Sequence, residues 1–212
     1  MNMHTNCNAI VGMSPGNSYF KQPIIHRLLE YTASRFVRTR ICIPDLPAEH
    51  TYKALGYSEQ KSQQRARQKS NVLRNHSKKS IEQIRTTSPD ADLRIIDWNS
   101  EIEPVEQYQR QLKYVYTLYE NSSQFYSEVR EDTKRVIESY PYHRQAATDQ
   151  AVDEGIHYVL KEMAFLDASC AILQSQASVF VYHRSWPVFE NYFKGVYDGI
   201  VRDMGLFLVS FD

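Results

Sequence analysis

Apolar and polar positions along the chain follow two different periods, and the change from one to the other marks its elements. Ala9-Ile10-Val11 is an apolar run that ends in the cluster Gly12-Met13-Ser14-Pro15-Gly16-Asn17-Ser18, with helical spacing after it. This predicts a buried strand, a tight turn and a helix. Phe20, Ile24, Ile25, Leu28, Leu29 and Phe36 form one apolar face of that helix. Residues 40–45 read as a second strand closed by Pro44 and Asp45. Residues 58–85 lack glycine and proline and carry only a thin apolar seam of Val72, Leu73, Ile81 and Ile84, which predicts one or two surface helices. After a loop at 86–90, residues 93–98 alternate as a third strand. Val105, Tyr108, Leu112, Val115 and Tyr119 make a helical stripe that Phe125, Val129, Val136 and Tyr140 continue beyond a break near Asn121-Ser122-Ser123, with Pro141 ending it. Thr148 or Asp149 can cap a further helix running to about Leu166. Residues 178–182 and 206–211 are the last two strands.

Strand, helix, strand at this spacing implies right-handed parallel crossovers. The whole pattern predicts a three-layer α/β fold, a single domain over residues 1–212 with a mostly parallel central sheet and helices on both faces. A chain of 212 residues can bury a full core. Formal charge balances at 25 basic and 25 acidic residues, so any nucleic-acid binding must come from uneven placement. That unevenness lies in 58–85, where Lys61, Arg65, Arg67, Lys69, Arg74, Lys78, Lys79 and Arg85 face only Glu59 and Glu82. Such a run is either a solvated helix face or a local anion-binding surface suited to phosphate backbones. Cys7, Cys42 and Cys170 are scattered and odd in number, as expected of reduced thiols in a cytoplasmic protein. No His and Cys spacing suits a metal, no leader is evident, and no apolar run is long enough to span a bilayer.

Ser14 stands where the chain leaves the first strand, the place where open α/β sheets bind ligands. Gly12-x-Ser14-x-Gly16 has the letters of a hydrolase nucleophile elbow, but that elbow uses the backbone N–H after the serine, and Pro15 has none. A serine here can also cap the following helix. Tyr158 and Glu162 are four apart on the predicted helix and share a face, with Phe165 beyond them. They read either as a functional pair or as a surface hydrogen bond. Tyr182-His183 ends the fourth strand, and His183 is a general base or a structural histidine.

Three separated motifs now make a set. Gly12-Met13-Ser14-Pro15-Gly16-Asn17-Ser18-Tyr19-Phe20, Tyr158-Val159-Leu160-Lys161-Glu162 and Tyr182-His183 resemble, in order and spacing, the signature of the cyclodipeptide synthases. Asn17, Tyr182 and His183 resemble the branch of that family named for those three residue types. The likeness runs from about residue 9 to about residue 190. It implies a relation to class I tyrosyl- and tryptophanyl-tRNA synthetase catalytic domains, and so a Rossmann-like fold, without their His-Ile-Gly-His and Lys-Met-Ser-Lys-Ser motifs for ATP. It implies two aminoacyl-tRNAs as substrates, no cofactor, and a cyclic dipeptide formed through aminoacyl- and dipeptidyl-enzymes on Ser14. Tyr158 and Glu162 would then hold the substrate ammonium, with Glu162 the base for the amine. Tyr182 would relay protons beside Ser14, and Asn17 would orient the ester and the turn. Arg67, Arg74, Lys78 and Lys79 would meet the tRNA. Ile10, Gly12, Trp98, Phe165 and Phe180 would wall the first amino-acid pocket, with His183 nearby, and three large rings there imply a small or flat first residue. A serine hydrolase and a non-catalytic RNA-binding module are the competing readings. No extended apolar interface is evident, so a monomer is expected.

Overall fold

A computed structural model describes residues 7–140, 147–202 and 204–211. Its sheet has five parallel strands, β1 (Asn8–Gly12), β2 (Arg38–Cys42), β3 (Asp92–Ile96), β4 (Ser178–Tyr182) and β5 (Met204–Leu208), in the order β3-β2-β1-β4-β5. Every residue of the central β1 is buried, as expected of a parallel strand covered on both faces. The chain moves outward from β1 through β2 to β3, then returns to β1's other side with β4. The strand order reverses between β1 and β4, and a crevice opens at such a switch point. Register places Ile10 beside Phe180 and Val11 beside Val181, so Ser14 and Tyr182 leave the sheet at its carboxyl edge side by side.

Helix α1 (Gln22–Ala33) starts with Lys21 as its N-cap. Ser14 is therefore not its cap, and its hydroxyl is free for other work. Ile25, Leu28 and Leu29 bury the expected face. Two helices escaped the sequence reading: α2 (Asp45–Ala54) directly after β2, and α7 (Pro187–Phe193); these take the next numbers in chain order with α3 (Glu59–Thr87), α4 (Glu106–Asn121), α5 (Ser123–Glu138) and α6 (Asp149–Ile172) between them.

The basic stretch is one 29-residue helix, α3. Its seam differs from the expected one, because Val72 is 46% exposed while Ser62, Ala66, Ser70, Ser77 and Ser80 are buried with Leu73, Ile81 and Ile84. Small side chains let a polar helix approach its neighbours closely without an apolar stripe. Trp98, expected to end β3, begins a single π-helical turn instead (Trp98–Ile102). The break between α4 and α5 falls at Ser122, whose Oγ accepts from Phe125 N–H at 3.3 Å. Pro141 lies outside the described residues. Thr148 caps α6 by accepting from Ala151 N–H at 3.2 Å, and α6 continues past Leu166 to Ile172. Helix α6 packs against α2, α4 and α5 and forms the wall opposite the ends of β1 and β4.

Candidate active site

The turn after β1 is held at several points. Met13 N–H donates to the Cys42 carbonyl at 2.9 Å, and Asn17 N–H donates to the Ser14 carbonyl at 3.2 Å. Asn17 Oδ1 accepts from Tyr19 N–H at 3.0 Å. Gly16 adopts φ +89°, and a Cβ there would lie 2.6 Å from the Tyr52 hydroxyl, so both backbone and space demand glycine. On the far side, the ring of Tyr19 stacks on His183 at 4.2 Å and 13°. Asn17 and His183 thus reach Ser14 through the same turn.

Two phenols converge on Ser14. Tyr158 Oη donates to Ser14 Oγ at 3.2 Å, and Ser14 Oγ and Tyr182 Oη exchange a hydrogen bond at 3.1 Å. Residues separated by 168 and 144 positions in the chain meet at one oxygen. Tyr158 comes from α6 and Tyr182 from the end of β4. Burial, then the charge of Glu162, pushes both phenols above their ordinary range, so at neutral pH both are protonated.

Glu162 is one helical turn beyond Tyr158 and 2% exposed. Its Oε2 is buried with no hydrogen-bond partner among the described residues. Burial raises its carboxyl to about 8, and the Tyr158 hydroxyl offsets only part of that. An orphaned carboxyl oxygen at this depth is a socket for a cation or a proton. His183 behaves differently: burial, and then Arg184, lowers it to about 4. It is a neutral ring packed on Tyr19 at pH 7, not a base poised at the serine.

Ser14 opens onto a cavity of about 540 Å³ that Asn17, Tyr158 and Tyr182 also line. Tyr52, Leu55, Tyr57, Val136, Ile137 and Tyr140 wall it, and Arg65, Lys69 and Arg184 are the cations along it. Sequence reasoning had assigned none of these to the site. Tyr52 belongs to the unforeseen α2, and nothing in the charge run distinguished Arg65 and Lys69 from their neighbours. Glu162 and His183 do not line the cavity. Neither do Ile10, Gly12, Trp98, Phe165 and Phe180, which pack as core beneath it; Ile10 and Phe165 are fully buried, and Trp98 is 1% and Phe180 4% exposed.

Along α3, Arg67, Lys78 and Lys79 are exposed. Arg74, expected beside them as a phosphate contact, is instead committed: its Nη2 lies 2.8 Å from Asp45 Oδ2, with both side chains less than a fifth exposed. That pair ties α3 to the start of α2. Among the described residues, no group of His, Cys, Asp and Glu is arranged to hold a metal.

A profile of the cyclodipeptide synthase family matches residues 3–203. The chain belongs to the cyclodipeptide synthase family. Enzymes of this family transfer aminoacyl groups from aminoacyl-tRNA. Among curated proteins the chain is 24% identical over 181 residues to cyclo(L-leucyl-L-phenylalanyl) synthase of Streptomyces noursei, covering 85% of this chain and 74% of that one. It is 21% identical over 187 residues to cyclo(L-leucyl-L-leucyl) synthase of Staphylococcus haemolyticus, covering 87% and 78%. Among solved structures, a cyclodipeptide synthase from Bacillus thermoamylovorans superposes with a TM-score of 0.84 at 21% identity, over 98% of this chain and 90% of that one. A Mycobacterium tuberculosis protein whose structure relates cyclodipeptide synthetases to type I tRNA synthetases gives 0.79 at 22% identity, over 98% and 87%. The synthase from Candidatus Glomeribacter gigasporarum, solved with Phe-tRNAPhe bound, gives 0.71 at 14% identity, over 98% and 89%. These structural likenesses carry the fold, a synthetase-like Rossmann domain.

Proposed function

We propose that this chain joins two aminoacyl groups from two aminoacyl-tRNAs into a 2,5-diketopiperazine, with Ser14 carrying the intermediates and no ATP or cofactor consumed. The observation that carries the reading is Ser14 Oγ held by two protonated phenols, one of them Tyr158, with the unpartnered buried oxygen of Glu162 one helical turn further along α6. The relative solved with Phe-tRNAPhe supports charged tRNA as the partner, and a cytoplasmic site of action goes with that substrate.

The first step exchanges esters. Ser14 Oγ attacks the aminoacyl carbonyl, the carbon–Oγ bond forms, the bond to the ribose oxygen breaks, and the Oγ proton passes to that oxygen. Tyr182 Oη shares a hydrogen bond with Ser14 Oγ at 3.1 Å, so it can take the serine's proton while passing its own on. The substrate's α-ammonium settles against Glu162. In the empty site Glu162, at about 8, carries its own proton at neutral pH; an entering ammonium favours the carboxylate, so that proton leaves to solvent, and the carboxylate then takes one from the α-amine, which titrates near 8. A base matched to its acid in this way frees the amine as a nucleophile. That amine then attacks the second aminoacyl ester, releasing the second tRNA and leaving a dipeptide on Ser14. The new terminal amine attacks the Ser14 ester carbonyl, the ring closes, and Oγ recovers a proton through Tyr182. Esters and amines react readily once held together, so positioning is the larger part of the task. Asn17 contributes by holding the turn, and His183 by buttressing it through Tyr19.

The two rival readings fit less well. A hydrolase of the elbow type lacks the N–H that Pro15 would have to supply, and His183, the histidine that follows Tyr182, is stacked on Tyr19. A passive RNA-binding module leaves the Ser14, Tyr158, Tyr182 and Glu162 arrangement without a purpose. Incubation with radiolabelled aminoacyl-tRNA tests all three: a covalent adduct on the wild type and none on Ser14→Ala is expected. Loss of tRNA ester with no adduct and no cyclic dipeptide would point to the hydrolase.

A further inference from the structure

We propose that Ser14 accepts only a small aminoacyl group, of glycyl to seryl size, while the second, bulky amino acid occupies the cavity, so that the product is a mixed ring of one small and one large residue. This rests on the acyl-enzyme reading above and names its substrates. An acyl group on Ser14 whose α-ammonium reaches Glu162 must point its Cα inward, between the β1 and β4 edge and helix α6. The side chains on that inner side are closely packed: Ile10 and Phe165 are fully buried, and Trp98 is 1% and Phe180 4% exposed. The ring atoms Cε2 and Cζ of Phe180 lie 2.6 Å from where a Cβ on Gly12 would stand, so Phe180 occupies the room that the glycine leaves. Phe180 is stacked on Tyr182 at 5.6 Å and 14°. Trp98 packs on Phe165 at 5.6 Å and 52°, and edge-on to Tyr108 at 5.9 Å and 88°.

Rings already packed stacked, tilted and edge-on against one another favour small over flat, the two options left open by the sequence. Interiors are packed to the density of organic crystals, so a leucyl or phenylalanyl side chain would enter only by displacing several buried rings. Hydrogen, methyl and hydroxymethyl side chains ask for little. On the outer side the balance is reversed. The cavity of about 540 Å³ lies within the ordinary range for small-molecule sites, and Leu55, Val136 and Ile137 give it an apolar wall. Among its groups the hydroxyls of Tyr52 and Thr133 are buried without partners, so a large side chain with a polar end could be held there.

The test is single-turnover labelling of the purified full chain with tRNA charged with each proteinogenic amino acid in turn, and Ser14→Ala as the blank. Glycyl-, alanyl- or seryl-tRNA is expected to label Ser14 at least about tenfold faster than leucyl- or phenylalanyl-tRNA, the discrimination that a single unaccommodated methylene can produce. The variants Phe180→Leu and Phe165→Leu, each checked for folding by its melting transition, are expected to narrow that ratio. Equal or faster labelling of the wild type by leucyl- or phenylalanyl-tRNA would overturn the size limit while leaving the acyl-enzyme intact. An unchanged ratio in both folded variants would overturn the assignment of these rings as its cause. No Ser14-dependent label from any charged tRNA would overturn the acyl-enzyme reading itself, and the inference with it.

Discussion

Glu162 concentrates the residue-scale chemistry. Its carboxyl titrates at about 8 when folded against an ordinary value of 4.5, so the folded chain binds its proton more tightly than the unfolded chain does. Stability from this group is therefore fully present below pH 4.5, declines as pH rises, and is lost above about 8. Glu162→Gln removes the titration. Melting transitions at pH 5, 7 and 9 are expected to show the variant gaining on the wild type as pH rises, by a few kcal/mol in all, since each pKa unit corresponds to about 1.4 kcal/mol. A difference independent of pH would show that the carboxyl is not held neutral by burial. Turnover should move the other way and fall by about two orders of magnitude or more in the variant, the usual contribution of a positioned base. The stability gain and the activity loss belong to one fact: the site keeps an uncompensated carboxyl because its partner is the substrate.

At the scale of elements, close approach rather than hydrophobicity decides where helices sit. Helix α3 buries serines at 62, 70, 77 and 80, and Ser77 Oγ reaches Met13 Sδ at 3.7 Å, the residue just before the candidate nucleophile. Gly155 does the same for α5 and α6. A Cβ there would lie 2.8 Å from Thr133 Cγ2 and 3.1 Å from Ile137 Cδ1. Gly155→Ala is expected to cost about 1–3 kcal/mol through overpacking, read from a denaturant midpoint, despite alanine's higher helix propensity. A stabilised variant would mean that α5 is free to move away. Gly155, Thr133 and Ile137 all line the cavity, so the same change should slow turnover with bulky second substrates.

For the whole molecule, charge balance hides a division of labour. Lys78 and Lys79 are exposed on α3, whereas Arg74 is held by Asp45. If the exposed lysines meet tRNA phosphates, Lys78→Ala with Lys79→Ala should weaken binding and reduce the slope of log affinity against log salt by up to about 1.5, with the fold intact. Arg74→Ala should lower the melting transition instead, because it strands a half-buried Asp45, at about 1.5–3 kcal/mol for a charged hydrogen bond. Equal salt slopes in the double variant and the wild type would remove this end of α3 from the RNA contact.

Elements with a strong local signal were legible from the chain alone. Ala9-Ile10-Val11 reads as a strand because a run buried on both faces must be apolar throughout, and Thr148 reads as a cap, and the stretch around Ser122 as a break, because a hydroxyl satisfies helix N–H groups locally. Helix α2 was missed because its own apolar pattern is sparse, and with it went Tyr52. Ser14, Asn17, Tyr158, Glu162 and Tyr182 could be named from their motifs, since local order and spacing survive in sequence. Their meeting could not, because Tyr182 reaches Ser14 only through the parallel pairing of β1 with β4. The depth of Glu162, the neutrality of His183, the commitment of Arg74 to Asp45 and the filling of the space beside Gly12 were likewise decided by packing. Periodicity reports which face of an element is buried; what lies against that face, and how much room is left, depends on residues far away in the chain.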